Sequence, residues 1–133
     1  MSNSTTSVDV PMLKAFSAAW NRHDVDALMT FMADDCVFET AAGADACGTR
    51  HVGREAVRKA FEAVWIAFPD VQWADDTHFV DGDRGVSEWT FKATRPDGTR
   101  LEQRGCDLFT FKGGKILVKS AFRKDRPALP ARG

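Results

Sequence analysis

The sequence contains no tyrosine, only three cysteines and three histidines, and almost equal numbers of acidic and basic residues. Its 19 Asp and Glu against 18 Lys and Arg give a formal net charge of -1, so there is no basic surplus to favour nucleic acid or an anionic membrane. No apolar run approaches the roughly 20 residues of a membrane span. We therefore expect no nucleic-acid or membrane partner, and a small molecule or another protein instead.

The few cysteines and histidines show no disulfide or metal-binding pattern. The cysteines are odd in number and form no CxxC pair, which suits a reducing compartment. No histidine belongs to an HExxH or HxH pattern. The opening stretch MSNSTTSVDV lacks the basic and apolar segments of a secretory signal. We expect a cytoplasmic protein with no metal ion and no cofactor.

The spacing of apolar residues changes halfway along the chain. In the first half, helical spacing follows the capping residues Asp9 and Asp24 and recurs from about Arg54 to Pro69. The second half has four extended runs, at 71–80, 86–94, 100–111 and 116–124, separated by the turn sequences DGDRG, RPDG and KGG. This order predicts one α+β domain over residues 1–133, with helices on an antiparallel sheet and loose ends at about 1–8 and 125–133.

The stretch RGCDLFTFKGGKI places an aspartate inside the third extended run. Aspartate is depleted in strands, and burying its carboxylate without a partner is costly. Strand alternation puts Asp107 on the same side as Gly105 and Phe109. Two interpretations remain open: a carboxylate that faces a pocket and transfers protons, or a structural ion pair with Lys119 or Arg123.

Both sides of the predicted sheet mix polar and apolar side chains. A curved sheet accounts for this if its concave face holds a partly wet pocket and its convex face forms a homodimer contact. Sequence alone does not decide which face is concave. As a working assignment, the convex face carries Trp89, Phe91, Leu108, Ile116 and Val118.

The stretches NRHDVDALMTFMADDCVFE, VDGDRGVSEWTF and RGCDLFTFKGGKI resemble the nuclear transport factor 2-like superfamily, and the resemblance covers nearly the whole chain. Within it, the sequence is most similar to SnoaL-like polyketide cyclases and ketosteroid isomerases. The resemblance implies a cone-shaped α+β fold, in which a strongly bent sheet wraps the helices around a deep pocket, commonly as a homodimer. Its D-x-F-x-F pattern, followed by glycines and lysine, is more specific for the fold than for any one reaction.

The resemblance also implies roles for individual residues. Asp107 stands at the position of the pocket aspartate that is the acid/base group of the cyclases, and Glu88 and Lys119 match inward strand positions. Phe16 stands where the isomerases have an oxyanion tyrosine, and Thr40 stands near the position of their base aspartate. We therefore do not expect ketosteroid isomerase activity. The implied function is a cofactor-independent lyase, isomerase or cyclase acting on a carbonyl-bearing substrate.

Two further residues are candidates for the second catalytic group. His51 lies in the loop before the third helix, near the expected pocket mouth, where an imidazole can shuttle a proton. A solvated surface histidine is the alternative. Glu88 is either a second acid/base group or a solvated glutamate paired across the sheet.

Four residues are candidates for binding the substrate: Phe16, Trp20, Lys119 and Arg123. The two aromatic residues line the pocket or belong to the core, since aromatic residues at helical spacing do both. The two cations bind an anionic or carbonyl group, or extend to the rim. A non-catalytic module for ligand binding or dimerisation remains the alternative to an enzyme, because a fold does not determine a function.

Overall fold

The computed structural model describes residues 7–132, which form three helices and six strands. The helices are α1 (Val10–Asn21), α2 (Val25–Thr30) and α3 (Arg54–Ala67). The strands are β1 (Met32–Glu39), β2 (Arg50–Val52), β3 (Gln72–Asp81), β4 (Arg84–Thr94), β5 (Arg100–Lys112) and β6 (Lys115–Arg123). They form one curved, open sheet in the order β2-β1-β6-β5-β4-β3, and the helices lie on its concave side. The predicted α+β architecture is confirmed.

The sheet is mixed, not antiparallel throughout as the sequence predicts. Strands β3 to β6 form the predicted antiparallel meander, but β1 runs parallel to β6. The difference arises because β1 enters the sheet from the helical half of the chain and not through a hairpin. The short β2, in a segment predicted as a loop, pairs antiparallel with the outer edge of β1. No helix in residues 7–132 is long and apolar enough to cross a membrane.

Local sequence signals account for the bounds of the helices. Asp9 and Asp24 cap α1 and α2, and each carboxylate accepts a hydrogen bond from the backbone N–H three residues later, at 3.0 and 3.1 Å. His23 adopts a φ of 58° between the two helices. Helix α3 ends two residues before Pro69, which cannot continue a helix.

The core between the helices and the concave face is largely aromatic. Phe61 of α3 is fully buried at its centre. Its ring centroid lies 6.5 Å from that of Phe16, 4.8 Å from that of Trp20 and 5.0 Å from that of Phe38 on β1. Such edge-to-face packing contributes beyond the burial of area alone, and it joins α1 and α3 to the sheet.

The sequence predicts loose segments at both ends of the chain, and the structure describes residues 7–8 of the first and residues 125–132 of the second. Residues 1–6 lie outside the described part, while Val8 is buried in the core with 5% of its surface exposed. From residue 124 to residue 132 the chain forms no helix or strand, but it lies along β5. There Leu129 and Arg100 exchange two backbone hydrogen bonds of 2.9 and 2.7 Å.

The position of Phe61 leads to a stability prediction. Phe61→Ala leaves a cavity at the contact between helices and sheet, and we expect it to lower the free energy of unfolding by about 3–5 kcal/mol. Ile66→Ala on the same helix is the matched control, because Ile66 is 80% exposed, and its expected effect is within about 0.5 kcal/mol. Urea unfolding followed by tryptophan fluorescence measures both. Equal losses in the two variants would contradict this description of the core.

Candidate functional site

Strand pairing places the candidate polar residues in two neighbouring rows on the concave face. One row, from β2 to β5, consists of His51, Phe38, Lys119 and Phe109. The next row, from β6 to β3, consists of Ala121, Asp107, Ser87 and His78. The structure therefore brings His51, Lys119 and Asp107 to the same side of the sheet.

Asp107 and Lys119 form a buried ion pair. They expose 6% and 5% of their surface, and the Lys119 ammonium donates a hydrogen bond of 2.9 Å to Asp107 Oδ1. The indole N–H of Trp89 donates to the other oxygen, Oδ2, at 3.0 Å. Both carboxylate oxygens are thus occupied by donors, which is what a buried charge requires. Of the two cations that the sequence offers as partners for Asp107, the structure pairs it with Lys119.

Gly105 allows Trp89 to reach Asp107. The two residues are paired across β4 and β5, and the indole ring crosses the glycine. A Cβ atom at position 105 would lie 2.5 Å from Trp89 Cζ3 and would also meet the Phe122 carbonyl oxygen. Position 105 is therefore a glycine because the Trp89 ring occupies the space that a side chain would need.

The Lys119 ammonium also contacts two aromatic rings. Its nitrogen lies 5.0 Å from the ring centroid of Trp20 and 4.7 Å from that of Phe38. His51 stacks on the same Phe38 ring, with centroids 6.1 Å apart. Cation–π attraction of this kind stabilises an ammonium that has little water around it.

A cavity of about 360 Å³ opens on the side of Lys119 away from Asp107. Its walls are mostly apolar, with Trp20, Phe38, Val64, Phe68, Trp73, Trp89, Phe91 and several alanines. Its polar side chains are Thr40, His51, Lys119 and Arg123. Among the described residues that line it, none is acidic. Its size falls within the range of small-molecule sites.

The space at the carboxylate itself is much smaller. It measures about 10 Å³, room for about one water, and its polar lining is Ser17, Ser87, Asp107 and Lys119. Lys119 and three tryptophans border both this space and the large cavity. A molecule in the cavity therefore meets Lys119 first, and Asp107 lies behind it. Phe16 lines only the small space, whereas Trp20 lines both.

Arg123 lines the cavity four residues beyond Lys119 on the same strand. Its guanidinium lies over the ring of Phe91, with the Cζ atom 4.2 Å from the centroid. Its Nη1 atom is buried and makes no hydrogen bond to the described residues. Burial lowers the pKa of Arg123 from its ordinary value, although Asp125 acts in the opposite direction.

The structure does not bring Glu88 to the cavity. Glu88 is paired with Cys106, and it alternates with Ser87 and Trp89, so its side chain lies on the convex face. The inward position that the resemblance implies for Glu88 is thereby corrected. Burial raises the pKa of the neighbouring Cys106 thiol, and the charges of Asp107 and Glu88 raise it further.

The working assignment of the convex face is wrong for three of its five residues. Trp89 and Phe91 are 3% exposed on the concave face, and Ile116 is fully buried in the core. A register shift between Thr110 and Phe111 inserts an extra residue in β6 and reverses the alternation at Ile116. Leu108 and Val118 do lie on the convex face.

A buried hydrogen-bonded chain of Asp76, His78 and Ser87 lies beside Asp107, and the sequence does not predict it. His78, whose side chain is fully buried, contacts Ser87 Oγ at 2.7 Å through Nδ1 and Asp76 Oδ2 at 2.6 Å through Nε2. Burial alone would raise the pKa of Asp76. Several hydrogen bonds, of which the one with His78 has the largest effect, bring this pKa below its ordinary value. The only signal in the sequence is that Asp76 and His78 are two residues apart in one strand, a spacing that places two side chains on the same face. Nothing in the sequence pairs them with Ser87.

The buried pair leads to a second stability prediction. Lys119→Met leaves the Asp107 carboxylate buried without its counter-charge, and we expect a loss of about 3–5 kcal/mol in the free energy of unfolding. The double variant Asp107→Leu with Lys119→Met removes both charges and should recover most of this loss. Chemical denaturation of the two single variants and the double variant measures the coupling.

The matched control is the exposed pair of Glu55 and Lys59, whose side chains are 87% and 75% exposed. Lys59→Met should leave the unfolding midpoint unchanged, because exposed pairs contribute little. A double variant at 107 and 119 that is no more stable than either single variant would contradict the coupling.

A curved sheet that covers helices and encloses a mainly apolar cavity, with a buried ion pair at its inner end, defines a small α+β pocket domain. Residues 13–118 match the model of the SnoaL-like domain, and the chain belongs to this family, within the nuclear transport factor 2-like superfamily. No curated protein matches the sequence significantly. Within residues 7–132, no group of three or more His, Cys, Asp or Glu side chains is placed to hold a metal ion.

Solved structures of bacterial proteins share this fold. A proposed polyketide cyclase from Xanthomonas campestris pv. campestris has a TM-score of 0.74 at 21% identity, with 84% of this chain and 87% of that chain covered. An NTF2-like protein of unknown function from Mesorhizobium loti has a TM-score of 0.70 at 28% identity, covering 85% and 88%. A protein with a ketosteroid isomerase-like fold from Catenulispora acidiphila, in complex with trimethylamine, has a TM-score of 0.74 at 19% identity, covering 87% and 86%.

Proposed function

We propose that the cavity beside Lys119 is the active site of a small cofactor-independent lyase, isomerase or cyclase that acts on a carbonyl-bearing compound. The observation that carries the proposal is the buried ammonium of Lys119 at the inner end of a mainly apolar cavity of about 360 Å³. The similarity to a proposed polyketide cyclase supports a carbonyl-bearing substrate. The pocket binds the apolar body of the substrate and presents few polar groups to it.

In the proposed mechanism, Lys119 donates a hydrogen bond to the substrate carbonyl oxygen. Loss of a proton from the neighbouring carbon places negative charge on this oxygen, and the ammonium stabilises that charge in a site with little water. Asp107 holds the ammonium in place from behind, at 2.9 Å. Asp107 is then a positioning residue, and direct proton transfer to it requires Lys119 or a tryptophan to move.

His51 is the group that we propose to accept the proton from carbon. It lies on the other side of Phe38 from Lys119, in the same row and facing the same cavity. Imidazole is the side chain that most often serves as a general base. A substrate that lies on the Phe38 ring would place its carbonyl group toward Lys119 and its adjacent carbon toward His51.

Exchange of hydrogen for deuterium at carbon next to a carbonyl group tests this proposal without knowledge of the substrate. Wild-type protein is incubated with a panel of ketones, keto acids and thioesters in D₂O, and deuterium uptake is followed by NMR. For any compound that exchanges, Asp107→Asn should slow the reaction by about two to four decades, and His51→Gln by about two decades. The first variant loses the carboxylate that positions the Lys119 ammonium, and the second loses the base.

Glu88→Gln on the convex face is the matched control and should exchange at the wild-type rate. Far-UV circular dichroism confirms that each variant is folded. An Asp107→Asn variant that exchanges normally would end the proposal.

A non-catalytic ligand-binding module is the second candidate. The observation that favours it is the full occupancy of the Asp107 carboxylate, with both oxygens bonded and room for about one water beside it. In that case compounds that raise the melting temperature of the protein would show no catalysed exchange. Binding without exchange across the whole panel would favour the module over the enzyme.

We also propose that the convex face forms a homodimer contact. Phe79 and Phe122 are 55% and 50% exposed there. Between them in the sheet, Val86 and Leu108 lie on the same face. Exposed aromatic and aliphatic side chains that form one patch are typical of contacts between subunits.

Phe122→Asp is expected to convert the dimer to a monomer, because it introduces a charge into the apolar patch. Analytical ultracentrifugation measures the association. Ile66→Asp, on an even more exposed residue of α3, is the control and should leave the association unchanged. A wild-type protein that sediments as a monomer at high concentration would rule out this interface.

A further inference from the structure

The two cations that line the cavity differ in how their charge is compensated. The Lys119 ammonium lies 2.9 Å from a carboxylate oxygen of Asp107. Arg123 forms no ion pair with any residue of the described range 7–132. Since none of the described lining residues is acidic, the cavity carries one positive charge that its own walls do not balance.

At least one nitrogen of the Arg123 guanidinium, Nη1, has no hydrogen-bond acceptor among the described residues. This atom is buried, and one flat side of the guanidinium is covered by Phe91. A buried donor that bonds neither to protein nor to water costs free energy, and a buried charge costs more. The same burial lowers the pKa of Arg123. Because Arg123 lines the cavity, an anion there would supply the counter-charge that the described cavity walls lack.

Arg123 and Lys119 mark two positions along the length of the cavity. They lie four residues apart on β6 and face the same side, so their Cα atoms are about 13 Å apart in an extended strand. Between and beside them the walls are aromatic, with Trp73, Trp89 and Phe91. The cavity thus offers apolar aromatic walls, whose rings are inclined to one another, with Lys119 and Arg123 as hydrogen-bonding groups at two positions along it.

We infer that the ligand is an aromatic organic anion whose carboxylate binds Arg123. A guanidinium binds a carboxylate through two parallel hydrogen bonds, and one such pair balances one charge. With the carboxylate at Arg123, a carbonyl group on the same molecule can reach Lys119, which makes aryl keto acids the substrate class. This assignment of Lys119 rests on the proposed function, whereas the anion site at Arg123 does not.

The inference is tested by isothermal titration calorimetry, which measures the affinities of matched acids and amides. The probes are 2-naphthoate and 4-oxo-4-phenylbutanoate, each beside its primary amide, which has the same shape but no charge. Wild-type protein should bind each acid at least about tenfold more tightly than its amide, as expected for hydrogen bonds to a charged group. Arg123→Gln should abolish this preference by weakening the acids, with the amides bound within about twofold of the wild type.

Two further variants separate the charge of Arg123 from other effects. Arg123→Lys keeps the charge and should retain a reduced preference for acids. Lys124→Gln removes a cation from the exposed neighbouring position and should retain the full preference. Phenyl phosphate tests the identity of the anion. It should bind more weakly than the carboxylates, because Arg123 is the one Lys or Arg of the described cavity lining that forms no ion pair.

Equal binding of acids and amides by the wild type would overturn the inference, as would an acid preference that survives Arg123→Gln. Either result leaves the proposed function standing if neutral ketones still exchange hydrogen in a manner that depends on Asp107. Conversely, an acid preference that depends on Arg123, without any catalysed exchange, supports the anion site and counts against the enzyme. Absence of binding by all acids and amides would overturn the anion site.

Discussion

The buried ion pair between Lys119 and Asp107 is the interaction on which the concave face depends. Each charge would be costly to bury alone. The second carboxylate oxygen therefore accepts a hydrogen bond from the Trp89 indole, and aromatic rings surround the ammonium. These requirements account for several neighbours at once. Gly105 leaves room for Trp89, and Phe38 and Trp20 shield the ammonium from water while their quadrupoles attract it.

The same pair divides the interior into two unequal spaces. On the Asp107 side there is room for about one water, and on the other side lies the cavity of about 360 Å³. A paired ammonium therefore forms the inner end of the cavity. The guanidinium of Arg123, which feels the charge of Asp125 but forms no ion pair within residues 7–132, lies further along the same strand. In walls of low polarity, this contrast would direct an anionic group of a ligand toward Arg123 and a neutral acceptor toward Lys119.

The candidate site was predictable in part. Alternation along one strand correctly grouped Asp107 with Gly105 and Phe109, because that grouping needs only the two-residue period of a strand. The inward position implied for Glu88 failed, since the structure pairs it with Cys106 on the convex face. His78 and Ser87 belong to different strands and meet through their register, which composition and spacing do not reveal.

Some features of this protein follow from its sequence alone. The capping aspartates, the proline after α3 and the glycine turns act within a few residues, so they determine where helices and hairpins begin and end. The tertiary structure alone decided which face of the sheet is concave, that β1 joins β6 in parallel, and that Lys119 stands between Asp107 and the cavity. Curvature and bulges arise from the packing of helices and strands far apart in the chain, and a one-residue shift such as that before Ile116 reverses the facing of the side chains beyond it.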